Sequence, residues 1–500
     1  MRRESSLRKK RLFWNTTCSL ASEITEIISG LILPGLILRN YGSEVNGLLN
    51  SIISFLAVIS FLDLGVGRVV ESSLYDPLAR SDYRKVSQII TSAARFFRRL
   101  GIILAVYVGM LCFVYPILVR QTFDSFYTVT LILILSISSF SQYFFSLTDS
   151  RLLSADQRLY VLHGTGIVTQ LISLGISVLL IRLNCPIRTL KLVVTVLCLG
   201  RPVFLRVYVS RHYPLNRKIR YEGEPIRDKW YGIAQHIEYV VLKNTDHLVL
   251  TLFSSLENVS VYSIYYMILS GIGKLVQASR GSFLSLFGEL WAKGETEKLN
   301  KAFSWYEWIL HTVTILIYGC TAVLIVPFVQ VYTNGVSDAD YSQPLFALLL
   351  TASWAFECLQ APYHSMILAA GHYKDTQRYY IITAVLNLGI SIPAVLLFGL
   401  PGVAAGTLVS LVYQMVWMAV YSTRHLVRLE NPVKRVVTDL LMITAGAGLT
   451  FRIRMNSIGY EPWFLTALQV GLLWAVAVLG INLLFYPDKL KKILSPVKND

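Results

Sequence analysis

Leu171-Ile-Ser-Leu-Gly-Ile-Ser-Val178 and Val385-Leu-Asn-Leu-Gly-Ile-Ser-Ile392 are nearly the same apolar phrase written twice, 214 residues apart. Upstream, Leu152-Leu-Ser-Ala155 is followed by Gln157-Arg158-Leu-Tyr160, and Ile367-Leu-Ala-Ala370 by Gln377-Arg378-Tyr-Tyr380. Each block joins the end of one apolar stretch, a short basic loop and the start of the next stretch. Two collinear blocks at matching places read as an internal duplication.

Outward from these blocks the chain continues in the same style. Apolar runs, cut by turn residues and charges, give fourteen segments: 12–38, 46–70, 100–119, 127–149, 159–181, 189–210, 231–253, 258–286, 303–331, 342–370, 379–398, 402–423, 436–451 and 462–486. Most are long enough to cross a hydrocarbon core of roughly 30 Å. The composition agrees, with 54% hydrophobic residues, 15% charged and a mean hydropathy of +0.54. A soluble protein carries about a quarter charged residues. The predicted fold class is therefore an all-α polytopic membrane protein of about fourteen transmembrane helices.

Charge gives the orientation. With the N-terminus in the cytoplasm and sides alternating, cytoplasmic segments hold 33 Lys/Arg and external loops 6, a bias of the positive-inside kind. Both termini are then expected in the cytoplasm. The N-terminal segment, basic from Met1 to Arg11 and interrupted by Glu23 and Glu26, reads as an uncleaved first span. The net charge of +16 is spread over helix ends and loops, which argues against a nucleic-acid partner. The six cysteines have no CxxC spacing and read as reduced thiols in apolar segments.

The repeat lays span 4 on span 10 and span 1 on span 7, an even offset that preserves sidedness. The stretch Arg211 to Lys229 is polar, with Pro214 and Pro225, and reads as a basic cytoplasmic linker. The expected organisation is an N-lobe over 1–210, a linker over 211–230, a C-lobe over 231–425, and two extra spans with a cytoplasmic tail over 426–500. Between spans 2 and 3, Val86, Ile89, Ile90, Ala93, Phe97 and Leu100 share one helical face. This predicts an amphipathic helix that lies on the membrane surface or extends span 3.

Charged residues at bilayer depth are the candidate functional residues. Glu23, Glu26, Asp63, Arg201, Lys243, Asp246, Lys274 and Glu357 fall well inside spans, with Arg68 and Arg280 somewhat shallower. Each costs at least about 2.5–3.5 kcal/mol at the bilayer centre, so together they call for a hydrated cavity or mutual pairing. Lys243 and Asp246 stand i,i+3 and can neutralise each other. Glu23 and Glu26 carry like charge on one face, as a coupling proton or sodium site would require, or are carboxylates bonded to nearby serines. Arg201 and Glu357 are expected as ties within a lobe. Lys243, Lys274, Arg280 and Arg68 suit an anionic cargo such as a phosphate or pyrophosphate. Tyr262, Tyr265 and Tyr266 read as interfacial belt residues or as a surface for sugar rings.

Tyr41-Gly-Ser-Glu-Val-Asn-Gly-Leu48, Ser54-Phe55, Asp63-Leu-Gly-Val-Gly67, Asn244-Thr-Asp246, Val259-Ser-Val-Tyr-Ser263 and Phe287-Gly-Glu289 come in an order and spacing that resembles a known family. It is that of the O-antigen and capsule repeat-unit flippases within the multidrug/oligosaccharidyl-lipid/polysaccharide exporter (MOP) superfamily. The resemblance implies two six-helix lobes forming a V, alternating access, and a polyprenyl-diphosphate-linked oligosaccharide as cargo. It also implies a bacterial inner (plasma) membrane location and no enzymatic activity. Membrane lipids, a polysaccharide polymerase and chain-length machinery are the implied partners. Carried onto this chain, the cleft residues are Arg68, Lys243, Asn244, Tyr262, Lys274 and Arg280 for substrate, and Glu23, Glu26, Asp63 and Asp246 for a coupling ion. No further cofactor is implied. Two other classes stand against this reading. A drug exporter of the same superfamily usually has twelve spans, whereas a membrane glycosyltransferase or glycan polymerase needs a large extramembrane loop that the spacing here does not provide.

Overall fold

The structure, a computed structural model, describes residues 2–63, 66–217, 219, 233–428 and 431–494, with the side chains of 2–13, 63, 68, 233 and 492–494 outside that description. Every regular element among the described residues is helical. The chain divides after Leu252 into two compact units.

The first unit runs α1 (Arg2–Tyr41), α2 (Ser43–Ala57), a 3₁₀ turn Val58–Asp63, α3 (Val66–Ala79), α4 (Tyr83–Val119) and α5 (Ser125–Ser141). It continues with a π turn Gln142–Ser146, α6 (Leu147–Ala155), α7 (Leu159–Arg182), α8 (Ile187–Cys198), α9 (Gly200–His212) and α10 (Ile233–Phe253). The second unit runs α11 (Leu256–Val276), α12 (Arg280–Ala292), α13 (Thr296–Tyr332), α14 (Pro344–Leu359), α15 (Ala361–Ala369), α16 (Tyr373–Phe398), α17 (Leu400–His425), α18 (Pro432–Thr450), α19 (Tyr460–Phe485) and α20 (Pro487–Leu494).

Twelve helical stretches are long and apolar enough to cross a membrane, and the protein is a multi-pass membrane protein. The other two expected spans are helices too, α10 and α18. Each carries three charges, Glu238, Lys243 and Asp246 in one and Lys434, Arg435 and Asp439 in the other.

Five expected spans are interrupted. Pro202 lacks the N–H that would bond the Cys198 carbonyl, and the helix parts at Leu199. Pro362 does the same opposite Cys358, and the helix parts at Gln360. The span expected over 46–70 ends instead in the 3₁₀ turn, with α3 a separate helix. The helix expected over 71–99 is likewise split: the chain turns at Ser81, and Asp82 caps α4 by accepting from the Lys85 N–H at 3.0 Å. From there α4 extends the third span, and its predicted apolar face is buried, with Val86, Ile89, Ile90, Ala93 and Phe97 at 0–1% exposure.

The duplication recurs in the backbone. Helices α4 and α13 are both 37 residues long and begin 213 residues apart. Left-handed residues outside glycine stand at Ser81, Gln157 and Asn184; 213, 214 and 215 residues later the left-handed residues are Gly294, Gly371 and Gly399.

Small residues set the closest helix pairs. Gly402 and Gly406 on α17 leave room for α16: an added Cβ would lie 2.1 Å from the Ala394 carbonyl oxygen and 2.2 Å from Ser391 Oγ. In the same way Gly319 on α13 and Gly446 on α18 receive the indole of Trp474 from α19. That ring is buried with Ile315, Met442, Val470 and Val478, which fixes the last two long helices on α13.

Candidate functional site

In the first unit a polar cavity of about 590 Å³ opens between α5–α6, α7 and α8–α9. Its floor follows from one irregularity. The π turn, in which the Leu147 N–H bonds the Gln142 carbonyl five residues back, widens the helix by one residue. Ser138, Ser141, Ser146, Ser150 and Ser154 therefore all line one cavity despite the five-residue step at the turn. The aromatic ring of Phe144 fills the space left by Gly101 on α4, where a Cβ would lie 2.5 Å from it.

Cations come from three sides. Arg151 on α6 pairs with Glu71 on α3 at 3.4 Å, and Ser154 donates to the other oxygen of the same carboxylate. Gly67 makes this approach possible, since a Cβ there would lie 2.8 Å from Arg151 Nε. Arg201, placed by the break between α8 and α9, donates to the Leu162 carbonyl of α7 at 3.2 Å. His163 sits between, within electrostatic reach of both Arg201 and Glu23 of α1. Ser141 is only 6% exposed, and its hydroxyl has no hydrogen-bond partner among the described residues. Two guanidinium groups, an imidazole and a row of hydroxyls can bind a hydroxyl-rich or anionic group, with Glu71 and Glu23 holding the cations in place.

The residues expected from sequence distribute as follows. Glu23 is half-buried at this cavity's edge, with Oε2 unpartnered among the described residues; Glu26, three residues on, is exposed. Lys243, Asn244 and Asp246 share α10, where Asp246 is 2% exposed and Asn244 donates back to the Val240 carbonyl at 3.0 Å. In the second unit, Lys274 and Arg280 flank the break between α11 and α12. Lys274 is exposed, and Arg280 contacts His364 Nδ1 at 2.7 Å and Gln277 Oε1 at 3.3 Å. Tyr262 is 2% exposed and packs against Phe346 and Tyr266, so it lies in an aromatic core rather than at a belt or sugar-binding surface. Glu357 accepts from Gln360 Nε2 at 2.6 Å, a tie within the second unit. Asp63 and Arg68 have side chains outside the described residues.

Sequence reasoning missed Arg151, His163 and the serine face. The serine spacing over 138–154 was visible, but without the π turn it does not fall on one stripe. Arg201 was expected as a tie; it is one, to α7, and it also lines the cavity.

No protein-family model matches the sequence, and no curated protein does. Solved structures do match. The lipid II flippase MurJ in an inward closed conformation aligns with a TM-score of 0.67 at 15% identity, over 95% of this chain and 99% of that one. The fold is that of the MOP-superfamily transporters. An inward-facing multidrug resistance MATE transporter of the MOP superfamily aligns at 0.60 and 12% identity, over 82% of this chain and 98% of the other. A eukaryotic MATE transporter aligns at 0.57 and 14%, over 83% and 95%.

Proposed function

We propose that this protein is a transporter, not an enzyme, and that it flips a polyprenyl-diphosphate-linked oligosaccharide from the cytoplasmic to the outer leaflet for surface-polysaccharide synthesis. The observation that carries the reading is the reach of the fold match. The likeness to the lipid II flippase extends over 95% of the chain, whereas the MATE likenesses stop at 82–83%. The shortfall is about the size of α18–α20, the segment keyed onto α13 by Trp474. A lipid-linked sugar also fits a cavity rich in guanidinium and hydroxyl groups inside the first unit.

In this reading α10 and α18 cross the bilayer as well, giving fourteen spans, with both termini in the cytoplasm of a bacterial plasma membrane. Residues 1–210 and 231–425 act as the two transport lobes. Arg68, Lys243, Asn244, Lys274 and Arg280 receive the diphosphate, and Glu23, Glu26, Asp63 or Asp246 takes a coupling proton or sodium ion. Glycan polymerase and chain-length machinery would consume the flipped unit.

The test is a variant series in proteoliposomes loaded with a fluorescent polyprenyl-diphosphate oligosaccharide. Lys243→Ala and Arg280→Ala should each slow transbilayer movement by roughly tenfold or more, the loss of one charge-assisted contact. Unchanged movement in both, with normal folding, would remove these residues from the cargo path. Efflux of a small organic cation by the wild type would favour the drug-exporter reading, which the MATE likenesses support.

A further inference from the structure

A second cavity, of about 280 Å³, lies in the second unit where the first turn of α18 meets α20 and the early turns of α13. Three cations gather there around one ring. Lys434 Nζ is 4.7 Å from the Tyr486 centroid, Lys489 Nζ 5.4 Å and Arg435 Cζ 5.9 Å. Lys489 also reaches the Ser304 hydroxyl at 2.9 Å, and its Nζ stands 5.9 Å from the Trp308 ring.

Arg435 is the informative member. It is 5% exposed, and its NH2 is engaged by Asp439 at 3.1 Å and by the Trp308 carbonyl at 3.4 Å. Its Nε and NH1 are buried with no hydrogen-bond partner among the described residues. A buried guanidinium with two idle nitrogens is costly unless an acceptor arrives from outside the protein. Helix α18 begins here at Pro432, so its free backbone N–H groups and positive dipole end add to the same place. Two carboxylates also line the cavity: Glu307, which accepts from the Tyr363 hydroxyl, and Asp488, exposed at the start of α20.

Position selects the acceptor. The apolar helix α19 ends at Phe485, and α20 alternates Lys489, Lys491 and Lys492 with Leu490, Ile493 and Leu494. Such a segment lies in the headgroup layer. We propose that the cavity seats the phosphodiester of an anionic phospholipid, its oxygens taken by Arg435 Nε and NH1 and by Lys434 and Lys489. Tyr486 and Trp308 lie beside the glycerol. This site is independent of the transported cargo.

The test uses the purified full-length protein in detergent, with native mass spectrometry after titration with phosphatidylglycerol or phosphatidylcholine. The wild type should retain phosphatidylglycerol about tenfold better, and the preference should fall to within about twofold in the Lys434→Gln/Lys489→Gln double variant. Millimolar inorganic phosphate should not displace the lipid. Should the double variant fail to fold, Lys434→Glu, at an exposed position, should abolish the preference by itself. Equal retention of both lipids by the wild type, or a preference that survives Lys434→Glu, would overturn the proposal. Displacement by inorganic phosphate would overturn it in favour of a free-phosphate site.

Discussion

Gln157 holds a left-handed backbone, φ +56°, at the turn between α6 and α7, and Gly371 holds the matching turn before α16 at φ +72°. A side chain in that region costs roughly 1–2 kcal/mol, which glycine avoids at some entropic expense in the unfolded chain. Gly371→Gln should therefore destabilise the protein by about 1–2 kcal/mol, and Gln157→Gly should be neutral or stabilising by up to about 1 kcal/mol. Thermal unfolding in detergent measures both; a stabilised Gly371→Gln would contradict the assignment. Asp149 is the other residue with a sharp consequence. It is fully buried and accepts from Arg217 at 2.7 Å and Arg206 at 3.3 Å, so it pins the chain beyond α9 onto α6. Asp149→Ala leaves the half-buried Arg217 without its partner and should cost about 3 kcal/mol, while Asp149→Asn should recover part of that. Neither residue stood out in the sequence. A left-handed turn without glycine has no compositional mark, and Asp149 was read only as the end of a span.

At the scale of elements, most helices were legible because membrane crossing demands long apolar runs. Their interruptions were legible only in part. Pro202 and Pro362 announce breaks by chemistry, whereas the π turn at Gln142–Ser146 and the 3₁₀ turn at Val58–Asp63 depend on packing partners such as Gly101. The candidate cavity was missed for that reason: its serines converge only through the π turn, and Arg151 reaches Glu71 only over Gly67. The glycine contacts give a direct test of how α18 and α19 are held. Gly446→Leu would force a side chain into Trp474, where an added Cβ already lies 2.4 Å from the ring, and should cost at least about 1–3 kcal/mol. Trp474→Ala should cost about 3–5 kcal/mol through the cavity it leaves. In the double variant the two effects should be less than additive, because the smaller residue at 474 makes room for the larger one at 446. Strict additivity, read from the melting curves, would mean that the pair does not share one packing site.

At the scale of the whole chain, the duplicated phrases at 171–178 and 385–392 pointed to two related halves. Matched helix lengths and matched left-handed turns bear that out in the backbone. The MOP-superfamily fold followed from span count and resemblance together, and at 15% identity the solved structures add fold alone. What moves through the protein was not legible, because cargo contacts rest on a few charged residues whose partners the helix pattern leaves open. Transport of a lipid-linked sugar is the central claim, and transbilayer movement measures it. Proteoliposomes of the wild-type protein carrying a labelled polyprenyl-diphosphate oligosaccharide, probed with an impermeant reagent that destroys only outward-facing label, should lose protection rapidly; protein-free vesicles should keep it. Protection that persists with several sugar chains, alongside efflux of a small organic cation, would contradict the account.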